Sequence, residues 1–180
     1  MVMKSRTFKL IEMEKKRIIV YDFETNGLWN RLTQPIQVHF RIIEPDGRVW
    51  CWEEYVSCRW IPVEVTLLTG ITVDLLRERG RPIEEVFRRI KDMLFECDFL
   101  LVGQNILRFD NHFLNYYLQK HFTNRYQVGR HQCFDTSAEF KALQLGLVYP
   151  GESEMSRGDW HHRVLYTRAT GVSSSLEDAC

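Results

Sequence analysis

Residues 17–28 read R-I-I-V-Y-D-F-E-T-N-G-L. Arg17–Phe23 is short, β-branched and preceded by a charged cluster, the pattern of a buried strand. Asn26-Gly27 then breaks the chain. Side chains two apart on a strand point to one face, so Asp22 and Glu24 stand together. Two like charges at the end of a buried strand need a proton, a cation or a basic partner. A divalent ion is the natural neutraliser, because Mg²⁺ and Mn²⁺ prefer carboxylate oxygens. The competing reading is a strand end that runs into solvent.

Ile36–Ile43 reads as a second strand, Pro45-Asp46-Gly47 as a turn, and Arg48–Glu54 as a returning third strand. Val63–Arg79 reads as helix interrupted at Gly70. After Pro82, Ile83, Phe87, Ile90 and Leu94 repeat at helical spacing, with Glu84 and Glu85 near the positive helix end. Asp98–Gly103 is nearly all apolar, as for a strand buried on both faces. Helix is expected from about Arg108 to His121, a fifth strand near His131–Phe134, and helix again from Thr136 to about Leu145. Residues 148–171 show a weak pattern and read as a loop or insertion, with His161-His162 on its surface. Ser173 suits the cap of a last helix. The order predicts an α/β domain: a five-stranded mixed sheet, three antiparallel strands then two parallel, flanked by helices.

The chain has 180 residues, enough for one domain with a sizeable core. Lys+Arg and Asp+Glu both number 24, which argues against a protein that coats nucleic acid by charge alone. A nuclease still fits, because an acidic metal site offsets a basic groove. No apolar run approaches a membrane span, and the N-terminus lacks the apolar core of a secretory signal. The 5 cysteines are scattered without a C-x-x-C pair, which reads as reduced thiols in the cytoplasm.

A second acidic feature is G103-Q104-N105-I106-L107-R108-F109-D110, again a strand running into a helix. Asp110 at a helix start is ordinarily a favourable partner of the helix dipole. Ligands also gather at the carboxyl ends of strands in open α/β sheets, where Asp22, Glu24 and Asp110 all fall. D-F-E-T-N-G-L resembles the first motif of the DEDD superfamily of 3′→5′ exonucleases, D-x-E-T-T/N-G-L. Pro35-Ile36-Gln37 resembles the start of that family's second strand. Leu68-Thr69-Gly70-Ile71-Thr72 resembles H-G-I-T, with Thr69 where His is usual. Residues 103–110 resemble G-H-N-x-x-F-D, with Gln104 for His. Asp135-Thr136 resembles the D-T after the fifth strand. The matches keep the family's order across roughly residues 17–147.

The resemblance implies an RNase H-like fold and a two-ion Mg²⁺ or Mn²⁺ site held by Asp22, Glu24 and Asp110. It implies that Thr25, Asn26, Gly27, Leu28 and Asn105 receive a terminal nucleotide. For Leu28, plain core packing competes equally with a wedge against a base. Single-stranded DNA or RNA 3′ ends are the implied substrate, with a polymerase as a possible partner and no membrane. The family's last motif, H-x₄-D, supplies a fourth carboxylate and a general base, and no intact copy is present. His162–Thr167 imitates it with Thr in place of Asp. Ser173–Ala179 imitates it with Asp178 retained and Ser in place of His. Alternatively Ser175–Cys180 matches an S-L-x-x-L-C helix that precedes the motif, which would then lie beyond Cys180. That third reading is favoured, because Val172–Leu176 suits a helix start. It predicts little activity for these residues alone, since loss of a general base costs about 10²–10⁴-fold.

Trp50, Trp52 and Trp60 could stack on bases, and Arg108, Arg125 and Arg130 could meet phosphates. Core packing and solvated surface compete with both readings. The rival functions are a catalytically impaired nucleic-acid-binding or polymerase-associated domain, and another two-metal nuclease of the same fold.

Overall fold

Hydrophobic alternation builds the sheet. In β1 (Arg17–Thr25) Ile19, Tyr21, Phe23 and Thr25 turn to a buried face, while Val20, Asp22 and Glu24 turn the other way. Pro35–Ile43 forms β2 and Val49–Tyr55 forms β3, both antiparallel to their neighbours. The expected turn joins them: Glu44 N–H donates to the Arg48 carbonyl at 2.9 Å, and Gly47 takes φ 85°. Phe99–Gly103 is β4 and Cys133–Asp135 is β5, both parallel to the chain direction of β1. The sheet order is β3-β2-β1-β4-β5. The described residues of this computed structural model are 16–28 and 32–168.

Between β3 and β4 lie three helices: α1 (Val63–Thr69), α2 (Val73–Arg79) and α3 (Ile83–Phe95). Gly70 separates the first two as the sequence predicts, closing α1 with φ 73° in the left-handed region. Thr72 then caps α2, its hydroxyl accepting from Leu75 N–H. On α3, Val86, Phe87, Ile90, Met93 and Leu94 form the buried stripe. They meet the inner face of the sheet at Phe23, Phe40 and Leu101. α4 (Asp110–His121) adds Phe113, Leu114, Tyr117 and Leu118 to the same core.

A 3₁₀ turn (Arg130–Gln132) leads into β5, which is followed by α5 (Thr136–Gln144). Here the structure corrects the sequence reading. The segment expected as loop or insertion over 148–171 is not all loop, because Arg157–Tyr166 forms a further helix, α6. Ser156 caps it, and its face Trp160, His161, Val164 and Leu165 is buried. It packs against α5, the 3₁₀ turn and β5. A second correction concerns Asp98–Gly103, expected to be buried on both faces: Leu100 and Val102 are half-buried, beside Ile18 and Val20 of β1, and Val20 is 39% exposed. No helix among the described residues is long and apolar enough to cross a membrane.

Candidate active site

β1 is the central strand, and its carboxyl end carries Asp22 and Glu24 on the outer face. Across the ladder they stand beside His39 and Gln37 of β2. The turn from β4 into α4 brings the third carboxyl to the same strand end. Asp110 is 2% exposed, and its Oδ1 accepts the Phe23 N–H at 3.1 Å. That peptide lies between Asp22 and Glu24 in sequence, so the bond joins the two acidic motifs directly.

The electrostatics match the geometry. Burial, then the charge of Asp22, push the Asp110 carboxyl up to about 8, opposed by the Phe23 N–H. Burial also raises Asp22, while His39 and the Phe23 N–H pull it back. Glu24 is raised by burial and by Asp22. Asp22 therefore acts on both other carboxyls. Burial and like charge both disfavour the ionised carboxyls, and a cation bound beside them would offset both. The donors are hard oxygens, which suit Mg²⁺ or Mn²⁺. Among the described residues, no three His, Cys, Asp or Glu side chains converge tightly enough to enclose one ion. The set fits a metal in donor chemistry and charge, with the side chains apart from a closed cage.

The loop after β1 is specified by its own hydrogen bonds. Thr25 Oγ1 donates to the Gly27 carbonyl at 2.7 Å. Asn26 exchanges two bonds with Gln34: its N–H donates to the Gln34 carbonyl at 3.0 Å, and its Oδ1 accepts the Gln34 N–H at 2.7 Å. Its Nδ2 donates to the Trp60 carbonyl at 3.4 Å. The Asn26 side chain is thus buried and engaged in holding the loop. Leu28 is 80% exposed, so the core-packing reading fails for it. Asn105 takes φ 58°, unusual for a non-glycine residue, and its buried Oδ1 has no hydrogen-bond partner among the described residues.

Other expectations separate in the same way. Trp52 is core, stacked on Phe40 at 5.5 Å. Trp50 sits on the edge strand with its indole N–H on Glu44, and Trp60 alone of the three is 61% exposed. Arg108 lies over the Tyr166 ring at 5.4 Å, and Arg130 approaches Asp159 at 3.7 Å. His162–Thr167 falls on α6 and its C-terminus, where the Thr167 hydroxyl donates to the Arg163 carbonyl at 2.9 Å. That hydroxyl serves the helix end. Ser173, Asp178 and the third-motif readings that use them lie outside the described residues.

Sequence reasoning missed His161, which it assigned to a loop surface. The ring is fully buried: Nδ1 accepts the Asp135 N–H at 3.1 Å and Nε2 faces Glu139 Oε1 at 2.7 Å. Since Nδ1 accepts, the proton sits on Nε2 and donates to Glu139. Burial holds this imidazole below its ordinary value, with Glu139 opposing. Tyr21 and Asn111 were also missed. The Tyr21 hydroxyl donates to Asn111 Oδ1 beneath the site, and Asn111 Nδ2 reaches Cys133 Sγ at 3.2 Å. An Asn in the first turn of an otherwise apolar helix face was the available signal.

No family model matches the chain. Exodeoxyribonuclease I of Buchnera aphidicola subsp. Schizaphis graminum is 23% identical over 126 residues, 66% of this chain and 26% of that protein. Among solved structures, an exonuclease I complex with SSB-Ct superposes with a TM-score of 0.63 at 19% identity, over 78% of this chain and 33% of that one. Zinc-bound E. coli exonuclease I with single-stranded DNA gives 0.63 at 20% identity, over 72% and 30%. E. coli exonuclease I with a dT13 oligonucleotide gives 0.61 at 20% identity over the same shares, 72% and 30%. The chain spans about a third or less of the length of the proteins it matches. It shares their mixed five-stranded sheet with flanking helices, the fold expected from the sequence.

Proposed function

We propose, from a fold and motif order that support placement in the DEDD exonuclease superfamily, that this chain is the nuclease core of a metal-dependent 3′→5′ exonuclease acting on single-stranded DNA. The observation that carries the reading is the Phe23 N–H to Asp110 bond, which brings the third acidic position onto the strand that bears the first two. DNA is favoured over RNA because the similar solved structures include complexes with DNA oligonucleotides.

Asp22, Glu24 and Asp110 are the residues that would hold Mg²⁺ or Mn²⁺. Bound there, the ions would supply an activated water and charge for the departing 3′ oxygen. The chain's own residues do the rest of the positioning. The Thr25–Gly27 segment, fixed by its hydrogen bonds, presents a preset backbone to the terminal nucleotide. Leu28, standing in solvent beside it, is placed to wedge against the last base. Asn105 brings a buried, unpartnered oxygen to the turn that precedes Asp110. No fourth carboxylate or general base is assigned among the described residues.

The test is Mn²⁺-dependent shortening of a 3′-labelled single-stranded oligonucleotide, run beside RNA of the same sequence and with Asp22→Ala as control. Stepwise loss of 3′ nucleotides from DNA, abolished in Asp22→Ala, is the expected result. Shortening that persists in Asp22→Ala sinks the assignment. Tight binding of the oligonucleotide with no shortening in Mn²⁺ selects the impaired binding domain instead.

A further inference from the structure

Asp135 is fully buried, and its two carboxyl oxygens collect five hydrogen bonds from two different parts of the chain. Three come from its own helix: Ser137 N–H at 3.0 Å, Ser137 Oγ at 2.6 Å and Ala138 N–H at 3.3 Å. Those are the bonds of a helix N-cap. The other two come from some 30 residues away, in the turn between β4 and α4. Asn105 N–H donates to Oδ1 and Leu107 N–H to Oδ2, each at 3.0 Å.

That turn is under local strain. Asn105 is held at φ 58°, a conformation that persists for a non-glycine residue only where the surroundings over-determine it. Its carbonyl accepts both Arg108 N–H and Phe109 N–H at 3.1 Å, and the Ile106 carbonyl accepts Asn111 N–H at 2.9 Å. The bonds thus run without a gap from Asp135 through residues 105–107 to the first turn of α4. Asp110 stands in that turn, with its Oδ1 on the Phe23 N–H.

We propose that Asp135 is the positioning residue of the acidic site: by clamping the β4–α4 turn it sets where Asp110 meets β1. The inference rests on the exonuclease reading for its purpose, and not for its geometry. An N-cap needs only the bonds to Ser137 and Ala138. The bonds to Asn105 and Leu107 add nothing to α5, and they fix the one turn whose course decides the third acidic position. A buried carboxylate also suits the task because it accepts several N–H groups at once in fixed directions.

The test reads amide hydrogen exchange by NMR in chelator-treated protein, which needs neither metal nor substrate. Asp135→Ser keeps a good N-cap for α5 but is too short to span to the turn. The Phe23 amide is expected to lose at least tenfold of its protection together with Asn105 and Leu107, as it does in Asp110→Ala. Faster exchange at Asn105 and Leu107 with Phe23 unchanged overturns the proposal and leaves Asp135 a plain cap. The unsubstituted chain gives the same answer if the variant does not fold. In low denaturant the three amides are expected to open as one unit, and separate openings overturn the idea. A Mn²⁺ titration by electron paramagnetic resonance then separates the two readings. Asp135→Ser is expected to bind Mn²⁺ about 10–100-fold more weakly than the parent. Equal affinity in variant and parent overturns the positioning role. A parent that binds no Mn²⁺ while the Phe23 coupling holds removes the exonuclease reading and leaves the clamp standing.

Discussion

Asp110→Asn is expected to stabilise the metal-free protein while removing its chemistry. In the unfolded chain the Asp110 carboxyl titrates near 3.8, and in the fold burial and Asp22 push it up to about 8. The folded state therefore holds a proton through a range where the unfolded chain has lost it. Stability falls as pH rises through the unfolded value, and the loss levels off above about 8. At pH 7 the interval is roughly three pH units, and each unit is worth about 1.4 kcal/mol, so the cost is on the order of 4 kcal/mol. Asn keeps an oxygen to accept the Phe23 N–H and never ionises. The assay is urea unfolding in chelator at pH 4, 5.5 and 7. The variant is expected to match its parent at pH 4 and to exceed it by a few kcal/mol at pH 7. Added Mn²⁺ should then raise the parent and leave the variant nearly unmoved. A variant less stable than the parent at pH 7 in chelator refutes the reasoning, since it would mean the ionised carboxyl is favoured where it sits.

Three further outcomes follow from neighbouring contacts. His161 is neutral in the fold and depressed by burial, so the unfolded chain protonates first as acid is added. The parent should lose up to about 1.4 kcal/mol per pH unit below about 6.5, and His161→Gln should lack that slope in unfolding curves between pH 6.5 and 5.5. At Gly103 a Cβ would lie 2.8 Å from the Tyr21 carbonyl oxygen and 2.4 Å from Ile106 Cγ2. Gly103→Ala should cost about 1–3 kcal/mol by overpacking, read by thermal unfolding, and should weaken Mn²⁺ binding by displacing the turn that leads to Asp110. Trp60 is 61% exposed beside the Asn26 loop, so Trp60→Ala should leave stability within about 0.5 kcal/mol. If that indole stacks on a base, binding of a short single-stranded oligonucleotide should weaken by about 1–3 kcal/mol in fluorescence anisotropy.

The parts legible in the sequence were those written at short range. Alternation placed Asp22 and Glu24 on one face of β1, helical spacing placed Phe87, Ile90 and Leu94 on one face of α3, and Gly70 stopped α1. The ordered motifs carried the fold from strand to strand. α6 escaped because its buried face includes a polar residue, His161, in place of an apolar one. That ring is satisfied by Asp135 and by Glu139, 26 and 22 residues away, and no local pattern announces such partners. The same distance hid the bonds of Asp135 to Asn105 and Leu107. The partners of the Asn26 side chain, Gln34 and Trp60, were equally out of reach of any local pattern.

That latch at Asn26 has a thermodynamic side. Fixing the backbone of one residue costs about 1–2 kcal/mol in conformational entropy. Because Gln34 and Trp60 already hold Asn26, the cost falls on folding, and under the proposed function an arriving strand would meet a segment with little freedom left to lose. Slackening the latch, as in Asn26→Ala, should therefore appear first as a weaker Kd for the oligonucleotide, with the rate of the bound complex much less changed. The loop would still make its contacts, but each binding event would have to order it anew.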